Sequence, residues 1–184
     1  MAWTQYYVAA SLDGYIAEED GGLQWLYDAA GDPNVDEDIG YLDFFSRVTA
    51  VAVGASTYEI VTAHDRPWDY PGRPTFVFTH REDLPVPDGA DVRFVQGAPK
   101  EHIGAMREAA GDGNLWVLGG GELASQFVED GLLDELIVAY VPVVLGRGIP
   151  LFARPIPGTL ELTKSQTLPD GMVSNTYLLN TPST

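Results

Sequence analysis

The chain has no cysteine, which excludes disulfides, thiolate nucleophiles and cysteine-ligated metals. Basic residues are scarce: 10 Lys and Arg stand against 27 Asp and Glu, for a formal charge of −17. The long-range field of such a chain repels polyanions, so nucleic acid is not an expected partner. A small anionic cofactor stays open, because at physiological salt distant charges are screened within about 8 Å and local N–H donors decide binding. No apolar run approaches the roughly 18 residues of a membrane span. The N-terminal Met1-Ala-Trp-Thr4 leads directly into a strand pattern, without a basic and apolar leader. The expectation is a cytoplasmic protein with no membrane partner. At 184 residues the chain has room for one domain with a full core, 1–184, and is short for two.

Glycine, by contrast, is abundant and concentrated where it matters. Leu115 to Leu118 is a short apolar run, read as a buried strand, that ends in Gly119, Gly120 and Gly121, after which Leu123, Phe127 and Val128 fall at helical spacing. Glycines at a strand-to-helix corner let the backbone approach a ligand, and the helix start offers unpaired N–H groups to an anion. A phosphate or pyrophosphate is the natural guest; a tight corner that needs glycine only for packing is the plainer alternative. Gly119, Gly121 and Ala124 match a G-x-G-x-x-A dinucleotide fingerprint, but the acidic residue expected about twenty positions on is missing from Val138 to Leu145. No Gly-Lys-Ser/Thr follows, so a P-loop is excluded as well.

Around this corner the pattern alternates strand and helix. Strands are expected at 4–10, 50–54, 75–79, 92–95 and 135–145, the last being the longest and most apolar, with Pro142 marking a bulge or an edge. Helices are expected from Asp36 to near Arg47, from Ala55, and over 99–110 with Pro at the start. Residues 18–37 read as a long loop, of the kind used for lids and binding loops. The segment 146–152 reads as a loop, and 160–168 with 172–180 as a C-terminal hairpin. The order implies an α/β domain with a mixed, mostly parallel sheet of about eight strands, flanked by helices and closed by an antiparallel end.

Four pieces in series, Ala9-Ala-Ser-Leu-Asp-Gly-Tyr-Ile-Ala17, Gly54-Ala-Ser-Thr-Tyr-Glu59, Leu118-Gly-Gly-Gly-Glu-Leu123, and Gly131-Leu-Leu-Asp-Glu-Leu-Ile-Val138 running into Pro142 to Phe152, resemble the dihydrofolate reductase-like superfamily. The chain looks most like the reductase domain of the bifunctional riboflavin-biosynthesis deaminase-reductase and that domain's stand-alone relatives. The resemblance implies a dihydrofolate reductase-like fold holding NADPH, or NADH, across the carboxyl ends of the parallel strands. By position, Ala10 and Ile16 line the nicotinamide, and Gly54, Ser56 and Thr57 meet the pyrophosphate. Thr79 and His80 lie by the adenosine ribose, with Arg81 near the 2′ position. Gly119, Gly120, Gly121, Glu122 and Leu123 close over the phosphates, and the resemblance implies a strained Gly-Gly peptide, open to the cis form, among them. Trp25 corresponds to a mobile lid, Arg147 to a grip on a substrate phosphate, and Asp38, or Asp43, to a proton donor. No metal site is implied.

Two departures stand out. Relatives often carry arginine directly after the first glycine of the second piece and just after the glycine run, and here those places hold Ala55 and Glu122. A carboxylate near a 2′-phosphate repels it, so NADH stays open unless His80 or Arg81 substitutes. The expected activity is hydride transfer to a small pyrimidine, pterin or carbonyl substrate, most like 5-amino-6-(5-phosphoribosylamino)uracil reductase. A true dihydrofolate reductase and a non-catalytic nucleotide-binding protein are the alternatives, and a homodimer is the expected assembly.

Overall fold

The computed structural model describes residues 2–29, 40–63, 67–81, 83–168 and 171–180. The N-terminal elements are β1 (Thr4–Ser11), β2 (Tyr15–Ala17), α1 (Gln24–Ala29), α2 (Tyr41–Arg47), β3 (Val48–Gly54) and α3 (Ala55–Thr62). The middle of the chain forms β4 (Thr75–Phe78), β5 (Val92–Val95), α4 (Pro99–Ala110), β6 (Asn114–Gly119) and α5 (Gly121–Glu129). Last come β7 (Glu135–Val141), β8 (Ile149–Pro150), β9 (Thr159–Thr167) and β10 (Val173–Asn180).

Eight strands make one sheet in the order β5-β4-β3-β6-β1-β7-β10-β9. The strands from β5 across to β7 are parallel, and β10 and β9 complete the sheet antiparallel. Strands β1 and β3 are interior and covered on both faces, which is why they read as near-continuous apolar runs. Along β1, Tyr6 and Ala10 pack into one core cluster, while the intervening Tyr7 and Ala9 pack into others.

The topology places the functional end of the sheet. The β3–α3–β4 connection moves outward along the sheet, whereas β5–α4–β6 and β6–α5–β7 run the other way. Right-handed crossovers then put α3 on one face and α4 with α5 on the other. The packing agrees: Met106, Ala110, Phe127 and Val128 from α4 and α5 join Tyr6, Ala52 and Val117. Tyr58 of α3 packs instead with Val53 and Val77, and Phe44 of α2 with Val51 and Trp116. Since β3 and β6 are neighbours, the chain leaves two adjacent strands toward opposite faces. That is a topological switch point, where open α/β sheets form a crevice at the carboxyl ends of their strands.

Several expectations are corrected. Within the supposed loop 18–37, the six residues of α1 form a helix around the buried Trp25, too short for a periodic pattern to show. Strand β7 stops at Val141, because Pro142 has no N–H to continue the ladder. It runs between β1 and β10, neither bulged nor at an edge, and the longest strand is β9, with nine residues. The loop 146–152 contains β8, which pairs with β2. The expected helix from Asp36 begins, within the described residues, at Tyr41. No helix of the described residues is long and apolar enough to cross a membrane.

Candidate functional site

At the switch point Val53 is paired with Gly119, so β3 and β6 end side by side. Each is followed at once by a glycine N-cap, Gly54 for α3 and Gly120 for α5, both extended and neither supported by a side-chain cap. Ser56 and Thr57 therefore do not cap α3. Two helix starts with N–H groups unclaimed by side chains face the same crevice, and together they form a strong local attraction for a diphosphate.

The glycines divide into two kinds. Gly119 has φ +129°, open to glycine but not to other residues without strain, and the Gly119–Gly120 peptide is cis, as the resemblance implied. A Cβ on Gly120 would stand 3.5 Å from Thr57 Oγ1 and 3.9 Å from Ile16 Cδ1. A Cβ on Gly54 would stand 3.6 Å from the Gly119 carbonyl oxygen. These positions keep a cradle open between walls made by Thr57 and Ile16. Gly121 serves another purpose, because a Cβ there would meet the Pro150 carbonyl oxygen at 2.2 Å. The chain after β8 crosses directly over the start of α5.

That crossing is fastened by two residues that sequence reasoning passed over. The buried Ser125 hydroxyl donates to Gly121 O at 2.8 Å and accepts from the Ala153 and Arg154 N–H groups at 2.9 and 3.3 Å. The fully buried Tyr6 hydroxyl donates to Leu151 O at 3.2 Å, and burial pushes its pKa up. The one signal available in the sequence was a serine four residues after Gly121, on the otherwise apolar face of α5.

Asp13 fastens the opposite rim. Its carboxylate accepts from Ser11 Oγ at 2.7 Å and from the N–H groups of Leu145 and Gly146 at 3.1 and 2.7 Å. The Ser11 hydrogen bond first, then the backbone donors, hold the carboxyl below the usual carboxylate range. A depressed folded pKa contributes stability that is fully present above the unfolded value and is lost as pH falls through the folded one. Asp13→Asn is therefore expected to lower the denaturation midpoint at neutral pH, with the gap to the parent closing as the solution is acidified through the carboxylate range. Denaturant melts of both proteins across pH check this.

The remaining candidates spread along the crevice. Ala10, with no exposure, floors the end of β1, and Leu123 is buried in the first turns of α5. Beyond the cradle, Thr79 Oγ1 accepts from the Arg81 N–H at 2.9 Å. His80 is exposed and lines a hollow of about 410 Å³ with Gly97, Lys100, Gln126 and Arg154. Arg81 turns away to Glu59 at 2.8 Å and Asp83 at 3.4 Å. Glu122 is paired with Arg154, a residue not among the sequence candidates, which also reaches Glu129 at 2.5 Å.

Trp25 belongs to the core in place of a lid. It is 7% exposed and packs with Ala139, Val141, Leu168 and Met172. Its buried indole N–H has no acceptor among the described residues. Arg147 is 81% exposed and paired with Glu19 at 3.3 Å, outside the cradle. Asp43 is exposed and paired with Arg47 at 2.5 Å. Asp38 lies outside the described residues.

A family model described as the RibD C-terminal domain matches residues 2–174. The uncharacterized protein YwjB of Bacillus subtilis (strain 168) is 38% identical over 149 residues, covering 81% of this chain and 82% of that one. A solved structure of a putative riboflavin biosynthesis protein from Shewanella sp. PV-4 superposes with TM-score 0.80 at 32% identity, over 97% of this chain and 98% of that chain. Dihydrofolate reductase from Enterococcus faecalis, solved in complex with NADP(H), superposes with TM-score 0.67 over 97% of each chain, at 17% identity, a likeness of fold.

Proposed function

This chain belongs to the RibD C-terminal domain family and has the dihydrofolate reductase-like fold, and from that premise we propose that it is a cytoplasmic NAD(P)H-dependent reductase of a small pyrimidine, pterin or carbonyl substrate. The observation that carries the reading is the pair of helix starts without side-chain caps that lie side by side at the Gly119–Gly120 cradle. They give a dinucleotide's pyrophosphate a place to lie without any lysine or arginine.

When bound, the reduced nicotinamide supplies a hydride to the carbon of a C=O or C=N group, while a proton reaches the heteroatom. The protein contributes position and exclusion of water. Gly54, Ser56 and Thr57 with Gly119 to Leu123 hold the diphosphate. Ala10 and Ile16 offer the apolar floor that an uncharged nicotinamide ring needs. The hollow beside Thr79 and His80 takes the adenosine half. The closest analogue of the substrate is the pyrimidine reduced in riboflavin biosynthesis. The proposal includes a homodimer joined at the β9–β10 end, where β9 is exposed almost throughout its length; a monomeric mass by light scattering contradicts that part alone.

The test is oxidation of reduced dinucleotide with a panel of ribosylaminopyrimidines, dihydropterins and small carbonyl compounds, after binding of the dinucleotide has been measured. Turnover with at least one class is the expected result. Binding with no turnover of any acceptor would make the chain a nucleotide-binding protein without chemistry, and absence of binding would overturn the reading.

A further inference from the structure

We infer that the adenosine end of this site selects NADH, whose ribose carries a free 2′-hydroxyl, over NADPH, whose 2′-phosphate would enter a net negative pocket. The inference rests on the dinucleotide reading above. Its geometric premise is the polarity of the crevice. Toward β1 the floor is apolar and closed by Ala10 and Ile16. Toward β4 and β5 it opens into the hollow of about 410 Å³ lined by His80, Lys100, Gln126, Glu129, Asp130 and Arg154. The ring that must stay dry belongs at the first end, and the ribose with its 2′ substituent at the second.

Among the described residues, the arginines and lysines around that second end are matched to acid. Lys100 Nζ lies 3.4 Å from Asp130. Arg154 gives one nitrogen to Glu122 and the other to Glu129. Arg81, the sequence candidate for a substitute phosphate ligand, is taken by Glu59 and Asp83. Lys100 and Arg154 thus meet three carboxylates, Asp130, Glu122 and Glu129, and His80 lines the same hollow.

The strength of these surface pairs is not what decides the outcome, since exposed ion pairs are individually weak and rearrange easily. The sum of charges decides it. A 2′-phosphate that captured Arg154 would release Glu122 and Glu129 into the same hollow, so the local balance stays negative however the partners are shuffled. Glu122 also sits in the first turn of α5, where it offsets the positive end of the helix dipole. A 2′-hydroxyl meets the opposite situation, because it can donate to one of these carboxylates, as riboses do to the acidic residue of NAD sites.

The test is calorimetric titration of the intact protein with NADH and with NADPH, read as dissociation constants and independent of turnover. NADH is expected to bind about tenfold more tightly, the order of one uncompensated like-charge contact at a water-exposed site. The gap should shrink as salt is raised. Glu122→Gln is expected to narrow it by freeing one guanidinium nitrogen of Arg154. Adenosine 5′-monophosphate against adenosine 2′,5′-bisphosphate, on the unmodified protein, makes the same comparison with no variant to fold. NADPH binding as tightly as NADH, or more tightly, overturns this inference and leaves the reductase reading in place. Binding of neither dinucleotide overturns both.

Discussion

Alanine at Gly121 is expected to destabilise the protein by about 1–3 kcal/mol, the usual cost of forcing an extra group into a packed interior, and to weaken dinucleotide binding by at least tenfold. The added Cβ would lie 2.2 Å from the Pro150 carbonyl oxygen and 3.1 Å from that of Leu151. Both obstacles are backbone, so no side chain can rotate out of the way. Either the 150–151 segment lifts off α5 or the start of α5 moves, and the second response shifts Gly120 out of the cradle. Gly104 supplies the control. It lies exposed within α4 with nothing inside 4 Å of an added Cβ, so Gly104→Ala should stabilise by about 1 kcal/mol through helix propensity alone. Denaturant melts of the two variants, with a dinucleotide titration of each, separate a crowded glycine from an idle one.

Ser125→Ala is expected to cost about 1 kcal/mol, the net worth of part-buried hydrogen bonds, because it removes the oxygen that both backbone donors share. The Arg154 N–H loses its bond to Ser125 Oγ, and the Ala153 N–H keeps only its 3.3 Å contact with Gly121 O. The consequence reaches beyond stability. Arg154 is the partner of Glu122 and Glu129, so a loosened 153–154 backbone frees those two carboxylates at the rim of the adenosine hollow. Amide exchange at Ala153 and Arg154 should quicken, and dinucleotide affinity should fall, while exchange in β3 and β4 stays as in the parent. Unchanged exchange at 153–154 would show that Ser125 does not fasten this segment.

The strands and the two glycine corners were legible because their patterns are local. Buried parallel strands write themselves as runs such as Ala50 to Val53, and a glycine-to-helix corner is visible at Gly54 and at Gly119. Elements held in place by distant contacts were not legible. Strand β8 exists because Ile149 and Pro150 lie against Tyr15 and Ala17, more than a hundred residues earlier in the chain. Trp25 was read as a lid residue, since nothing near it in sequence shows that Ala139, Val141 and Met172 surround it. At the site, the cradle could be read from glycine alone. The charge pattern of the adenosine hollow could not, because Arg154 meets Glu122 only through the crossing of the 150–154 segment over α5.

The central claim is that the two helix starts beside Gly54 and Gly120 hold a dinucleotide, and the most direct measurement is backbone-amide NMR of this 20.0 kDa chain during titration with NADH. The predicted result is saturable shifts at the amides of Ser56, Thr57, Gly121 and Glu122, followed by His80 and Gly97 as the adenosine hollow fills. Shifts confined to the hollow lined by Gln5, Glu135 and Lys164 at the far end of the sheet, or no shifts at all, would contradict it.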